Sequence, residues 1–372
     1  MNPDLLLIAA RVRELISRRP SAINHQHFSA LALELFALQY QHNSAYRRIC
    51  GAREITPRDV AGWPQIPAVP ALAFKELELT CIPPDERTAV FHSSGTTEQK
   101  LTRHFHCPES LAVYEASLWV WFESRVARSP ESGNSNFNLA VLTPPPAQAP
   151  HSSLVHMFDT VRQKLAAGGS PFVGKLAADG SWTLDIEATW DVLSRSSRKP
   201  DASPLLLVGT AFSFVHLLDY LVERGLTFQL PAKSRVMETG GYKNRSRTLP
   251  KTELHALITK RLGVPRENII CEYGMSELSS QAYDSEIHPP SSMLHPRVFR
   301  FPPWARAQII SPETGCEVAE GETGLIRVLD LANVLSVAAI QTEDLGIRRG
   351  DGFELIGRAQ LAEPRGCSLM AA

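Results

Sequence analysis

The chain has 372 residues, a formal net charge of -1 and a sequence pI near 6.9, with 44% hydrophobic and 21% charged residues. That length calls for a large domain with subdomains or for two domains, and the balanced charge predicts neither a nucleic-acid footprint nor an acidic tail or basic arm. The absence of any stretch of about 18 apolar residues predicts no membrane span, and six scattered cysteines without a CxxC pair point to reduced thiols in a cytoplasmic enzyme rather than a zinc ribbon or disulfide scaffold.

The N-terminal apolar run is followed, not preceded, by charge at Arg11, Arg13 and Glu14, the pattern of an amphipathic helix rather than a leader. Apolar residues at three-to-four spacing predict helices over 4–18 and 28–41. Thr56 before Pro57 signals a further helix start. Pro64, Pro67, Pro70, Pro83 and Pro84 exclude one continuous helix over 64–84. Residues 88–97 predict a short apolar strand running into a small-residue loop. Apolar runs at Leu139–Leu142, Leu205–Val208, Val236–Glu238 and Ile269–Glu272, each followed by a loop and a helical segment, predict a parallel, largely buried sheet. Ligands gather at the carboxyl ends of such strands, so function is sought in the loops after Phe91, Val208, Glu238 and Cys271. Residues 144–150 read as a rigid proline loop. From about Gly321 onward the segments read as strands joined by tight turns. His104 and His106 face the same way without an evident third metal ligand and are read as structural, and Ser152 is read as a helix cap. No GxSxG elbow is present, which argues against a serine hydrolase.

Three motifs carry chemistry. Ser93, Ser94, Gly95, Thr96 and Thr97 offer hydroxyls and N–H groups around a glycine, a loop able to wrap phosphate oxygens, although it is not a Walker A sequence. A plain polar turn is the alternative. In Glu272-Tyr273-Gly274-Met275-Ser276-Glu277 a ring beside a glycine can stack on a purine and Glu277 can hold magnesium. A strand end with a solvated glutamate is the alternative. Asp344, with Arg358 downstream, can hold the two hydroxyls of a ribose, or simply form a turn with a surface ion pair.

In this order the three motifs resemble the adenylate-forming superfamily of acyl-CoA synthetases and peptide-synthetase adenylation domains. The resemblance implies that Ser93–Thr97 bind ATP phosphates, Tyr273 and its motif neighbours Glu272, Gly274, Met275 and Ser276 contact the nucleotide, Glu277 serves Mg2+, and Asp344 and Arg358 hold the ribose. Gly240 and Gly241 stand where the family places an adenine-contacting loop. The strings HSSGTT, ETGGYKNRSR, EYGMSELSSQAY, TEDLG and ELIGRA…RGCSL further resemble the LuxE-type acyl-protein synthetases, over residues 91 to 369. Members of that family adenylate a fatty acid and move the acyl group onto a C-terminal cysteine, whose place Cys367 occupies. Arg365 would favour its thiolate.

The resemblance implies an α/β adenylate-forming large domain over 1–355, parallel sheets flanked by helices plus a small β-rich part from about 290 to 355, and a short mobile arm over 356–372. Two departures stand out. Glu98 replaces the usual glycine after SSGTT, with Lys100 or Arg103 as a cation to meet it. The C-terminal lid domain with its catalytic lysine is not expected here, so Lys243 or Arg245 is the candidate to offset charge on the reacting carboxylate and α-phosphate. The implied reaction consumes ATP and a carboxylic acid and delivers the acyl group to a reductase, an acyl carrier protein or a small thiol. Direct transfer from the adenylate to coenzyme A or a carrier, and a degenerate nucleotide- or partner-binding homologue, are the alternatives.

Overall fold

The computed structural model describes residues 1–93, 100–128, 137–165, 170–197, 203–240, 247–284 and 297–359. Of the candidate residues, Ser94, Gly95, Thr96, Thr97, Glu98, Gly241, Lys243, Arg245 and Cys367 lie outside this description.

The chain opens with helices α1 (Pro3–Ser17), α2 (His25–His42) and α3 (Ser44–Gly51). Asn2, Asn24 and Asn43 cap them, each side chain accepting a first-turn N–H that the helix itself leaves open. Leu5, Ile8, Ala9, Val12 and Ile16 recur at helical spacing and form the buried face of α1. Thr56 does not start a helix. Its N–H and hydroxyl both donate to Asp59 Oδ2, at 2.8 and 2.6 Å, and this local bond holds a turn in place of a helical one. Next come the short strand β1 (Val69–Pro70), the one-turn helix α4 (Ala73–Glu76) and the antiparallel pair β2 (Ala89–His92) and β3 (Arg103–His106). The hydroxyl loop therefore joins two antiparallel strands outside the main sheet.

The middle of the chain contains α5 (Pro108–Phe122), β4 (Asn138–Val141), α6 (Ser153–Lys164), the small hairpin of β5 (Gly174–Leu176) and β6 (Trp182–Leu184), and α7 (Ile186–Ser197). It continues through β7 (Leu205–Thr210), α8 (Ala211–Glu223), β8 (Arg235–Thr239), α9 (Lys251–Leu262) and β9 (Ile269–Tyr273). Strands β4, β7, β8 and β9 pair in parallel in that spatial order, and β10 (Ala282–Tyr283) closes the edge antiparallel to β9. Both faces are covered. Leu205, Leu207, Val236 and Ile269 pack with Phe214 and Leu218 of α8 and Leu254 and Ile258 of α9. Leu206, Val208, Met237 and Ile270 pack with Tyr114 and Leu118 of α5 and Phe158 of α6. Burial on both sides is why these strands are unbroken apolar runs.

The second sheet is built from β11 (Ala305–Ile310), β12 (Thr323–Asp330), β13 (Ala339–Arg349) and β14 (Gly352–Arg358), antiparallel in sequence, with β1 added in parallel beside Ile340 and Gln341. The expected β-rich part thus reaches Arg358 and also recruits residues 69–70. Helices α1–α3 share one hydrophobic core with this sheet. The Gln39 amide fixes α2 to the β12–β13 connection, donating to Asn333 O at 2.7 Å and accepting from Ala338 N–H at 2.9 Å. Ser152 does cap α6, accepting from Val155 N–H. Among the described residues no helix is long and apolar enough to cross a membrane, and Cys50, Cys81, Cys107, Cys271 and Cys316 are free thiols.

Candidate active site

Strand β9 ends at Tyr273, so its motif enters the loop at the carboxyl edge of the parallel sheet. The Tyr273 ring is buried edge-on against Phe299, Phe301 and Phe353. Its hydroxyl donates to Asp344 Oδ2 at 2.9 Å. Asp344 stands opposite Arg358 across the β13–β14 register, and its other oxygen, Oδ1, lies 3.8 Å from Arg358 Nε. The second and third motifs therefore meet. Burial pushes the Asp344 carboxyl up, while the Tyr273 hydroxyl and the Arg358 charge pull it back. Oδ1 remains placed to accept from a sugar hydroxyl.

The first motif reaches the second through Ser93. The Ser93 N–H donates to Thr102 Oγ1 at 3.2 Å, and the Thr102 N–H donates to Ser93 Oγ at 3.3 Å. Thr102 Oγ1 lies 3.3 Å from Ser276 Oγ, and His104 Nδ1 bonds the Ser276 carbonyl at 2.9 Å. Lys100 and Arg103 are already engaged, Lys100 with Glu76 at 2.6 Å and Arg103 with Glu78 at 3.4 Å. His104 and His106 share a strand face with ring centroids 4.4 Å apart. Burial lowers both, His104 to about 4, so both are neutral.

Glu277 is 3% exposed. Burial raises its carboxyl, and bonds from Thr102 and Ser276 together with the Arg358 charge act against that rise. A buried carboxylate edged by hydroxyls is a hard-oxygen donor set, which fits magnesium. A divalent cation would also offset the cost of keeping Glu277 ionised. Gly240, at the end of β8, has φ +72, a left-handed conformation that favours glycine. A Cβ at Gly274 would lie 2.2 Å from Glu272 Oε1, so the bare backbone there admits the Glu272 side chain. Met275 packs against the main core from a partly buried position.

Thr102 was not among the residues singled out by sequence, and neither was a buried ionic network on the opposite face of β8 and β9. There Glu238 Oε1 takes Lys251 Nζ and Cys271 Sγ, each at 2.8 Å. Arg297 pairs with Asp284 at 2.6 Å and lies 3.0 Å from His255 Nδ1. Burial opposes ionisation of Glu238, but the Lys251 charge and bonds from His255, Cys271 and Lys251 prevail and hold its carboxyl down at about 2. Glu238, His255 and Cys271 are close enough to share a metal ion. The ammonium of Lys251 and the guanidinium of Arg297 already compensate the charge, so the cluster is read as structural. Only the strand-end acidic residues Glu238 and Asp284 hint at it in sequence.

Comparison with known proteins adds the lineage. The family model described as acyl-protein synthetase, LuxE, matches residues 165–372, more than half of the chain. A long-chain-fatty-acid–luciferin-component ligase of Aliivibrio fischeri is 25% identical over 366 residues, covering 92% of this chain and 87% of that one. Its counterpart in Vibrio harveyi is 24% identical over 365 residues, covering 92% and 86%. A 2-hydroxyisobutyryl-CoA ligase solved with 2-HIB-AMP in the postadenylation state superposes with a TM-score of 0.62 at 13% identity, over 92% of this chain and 70% of that one. That likeness establishes the fold as that of an adenylate-forming ligase.

Proposed function

The chain belongs to the LuxE acyl-protein synthetase family, and on that premise we propose that it activates a long-chain fatty acid with ATP, transfers the acyl group to its own Cys367, and passes it to a partner. The observation that carries the reading is the convergence of the three motifs. Ser93 meets Ser276 and Glu277 through Thr102, while Tyr273 meets Asp344 and Arg358. In this proposal the hydroxyl loop from Ser93 to Thr97 cradles the triphosphate, the Tyr273 ring and Gly240–Gly241 border the base, and Asp344 and Arg358 hold the ribose. Glu277 would hold magnesium, which when bound neutralises phosphate charge.

A carboxylate oxygen of the acid attacks the α-phosphorus, and the bond to pyrophosphate breaks. The Cys367 thiolate then attacks the acyl carbon, AMP leaves, and a thioester remains. Lys243 or Arg245 supplies the positive charge that meets the reacting carboxylate and α-phosphate. Removing one such donor costs about 10²–10³ in rate. The acyl acceptor is a reductase, an acyl carrier protein or a small thiol.

The test is intact-protein mass spectrometry after incubation with Mg-ATP and a series of fatty acids, run beside pyrophosphate release. The wild type should gain a hydroxylamine-sensitive acyl adduct. Cys367→Ala should release pyrophosphate without gaining one. Lys243→Ala or Arg245→Ala should slow pyrophosphate release, and normal release by both would remove them from the mechanism. An adduct of equal yield on Cys367→Ala would overturn the thioester step, and no pyrophosphate from the wild type with any acid would overturn the whole reading.

A further inference from the structure

We infer that Thr102 is a positioning residue that couples phosphate binding to cation binding. This rests on the reading of the site as one for Mg-ATP. Thr102 is 4% exposed, and every polar atom it carries is used at the junction of the first two motifs. Its N–H and Oγ1 exchange two bonds with Ser93, and its carbonyl meets His92 Nδ1 at 3.0 Å. These contacts tie together the two ends of the hydroxyl loop at residues 92–93 and 102.

The same Oγ1 lies 3.3 Å from Ser276 Oγ, and the Thr102 hydroxyl also bonds Glu277. A hydroxyl has one proton and two acceptor sites. Since Oγ1 already accepts from Ser93, its single proton serves Ser276 or Glu277, one at a time. His104, two residues along β3, grips the Ser276 carbonyl at 2.9 Å. Strand β3 therefore holds the Ser276–Glu277 turn by both its hydroxyl and its backbone, while holding the phosphate loop by Ser93. A cation drawn to Glu277 frees the Thr102 proton for Ser276 and stiffens the loop base. Loop closure on phosphate in turn fixes the carboxylate. The two events favour one another because one side chain takes part in both.

Thr102→Val removes the hydroxyl and keeps the shape, and Thr102→Ser restores the hydroxyl. Calorimetry would give the affinity for ATP with saturating Mg2+ and with the metal chelated, for the wild type and both variants. The wild type should show a large ratio between the two affinities. Thr102→Val should lower that ratio at least threefold, and Thr102→Ser should return it toward the wild-type value. A merely structural role would weaken both affinities alike and leave the ratio unchanged, which would overturn the inference. If Thr102→Val fails to fold, Ser276→Ala breaks the same bridge from the other side. An unchanged ratio in Ser276→Ala would then be the overturning result, and a reduced one the supporting result. A wild type that binds no ATP under either condition refutes the nucleotide reading itself, an outcome distinct from an unchanged ratio.

Discussion

Glu272 precedes the site tyrosine and points to the opposite face of β9, where it is buried beside Thr239. Burial pushes its carboxyl from 4.5 up to about 7, the Thr239 hydroxyl opposes the rise, and the nearby Glu238 charge adds to it. A carboxyl raised by folding favours the native state at low pH, and that contribution is lost as pH climbs from 4.5 through about 7. The loss is on the order of 3 kcal/mol. Glu272→Gln keeps an acceptor for Thr239 and cannot ionise. The variant should therefore be as stable as the wild type near pH 4.5 and more stable at pH 8, when both are unfolded in urea. Asp330, which burial raises to about 6, titrates in both proteins, so the difference between them isolates Glu272. A wild type and variant with parallel stability curves across this interval would show that Glu272 stays ionised in the fold.

At the scale of elements, the β13–β14 hairpin does most to assemble the nucleotide face. It carries Asp344 and Arg358 on paired positions and Phe353 behind Tyr273. Phe353 is itself fixed by two backbone bonds with Phe299, at 2.8 and 3.1 Å. A Cβ at Gly352 would lie 2.4 Å from Phe299 O and 2.8 Å from Val298 Cγ1, so Gly352→Ala forces the hairpin away from this segment. Overpacking of this kind costs about 1–3 kcal/mol, and the displaced Phe353 should weaken ATP binding along with stability. Gly350, in the same turn with φ +58, meets nothing within 4 Å. Gly350→Ala adds only local backbone strain of roughly 1 kcal/mol and should leave ATP affinity intact. Equal affinities in the two variants would detach the hairpin packing from the nucleotide site.

These elements differ in how readily sequence exposes them. Strands β7, β8 and β9 were legible because both their faces are buried, leaving a local apolar signature. Strand β1 was not. Its two residues become a strand only by pairing with Ile340 and Gln341, far along the chain. The Thr56 signal misled because a helix start and an Asp-held turn use the same residue types. The site motifs could be read because each is a contiguous string. Thr102 could not, since its role comes from a serine 174 positions away. The buried network around Glu238 is hidden for the same reason, being drawn from β8, α9, β9 and the segment containing Arg297.

At the scale of the whole molecule, the question is how an acyl group formed at one end of a sheet meets the thiol at Cys367. The last anchored point before that thiol is Ala359, whose N–H donates to Glu343 O at 2.9 Å. Ala359 directly follows Arg358, the proposed ribose contact, and eight residues lead from it to Cys367. Eight residues span at most roughly 29 Å. In the proposed mechanism the thiol is therefore leashed to the strand that binds the nucleotide, and a short leash gives an effective concentration on the order of millimolar. Acylation should then proceed in cis. Cys367→Ala can make the adenylate but lacks the thiol, whereas Asp344→Ala keeps the thiol but has lost the proposed ribose ligand. Mixed at about 1 μM each, with Mg-ATP and the acid, they should acylate Cys367 of the Asp344→Ala chain about a thousandfold more slowly than the wild type acylates itself. The wild-type rate should also stay constant on tenfold dilution. A mixture that acylates as fast as the wild type, or a wild-type rate that falls with dilution, would mean that the thiol is delivered by a second molecule and that the leash to Ala359 contributes nothing to transfer.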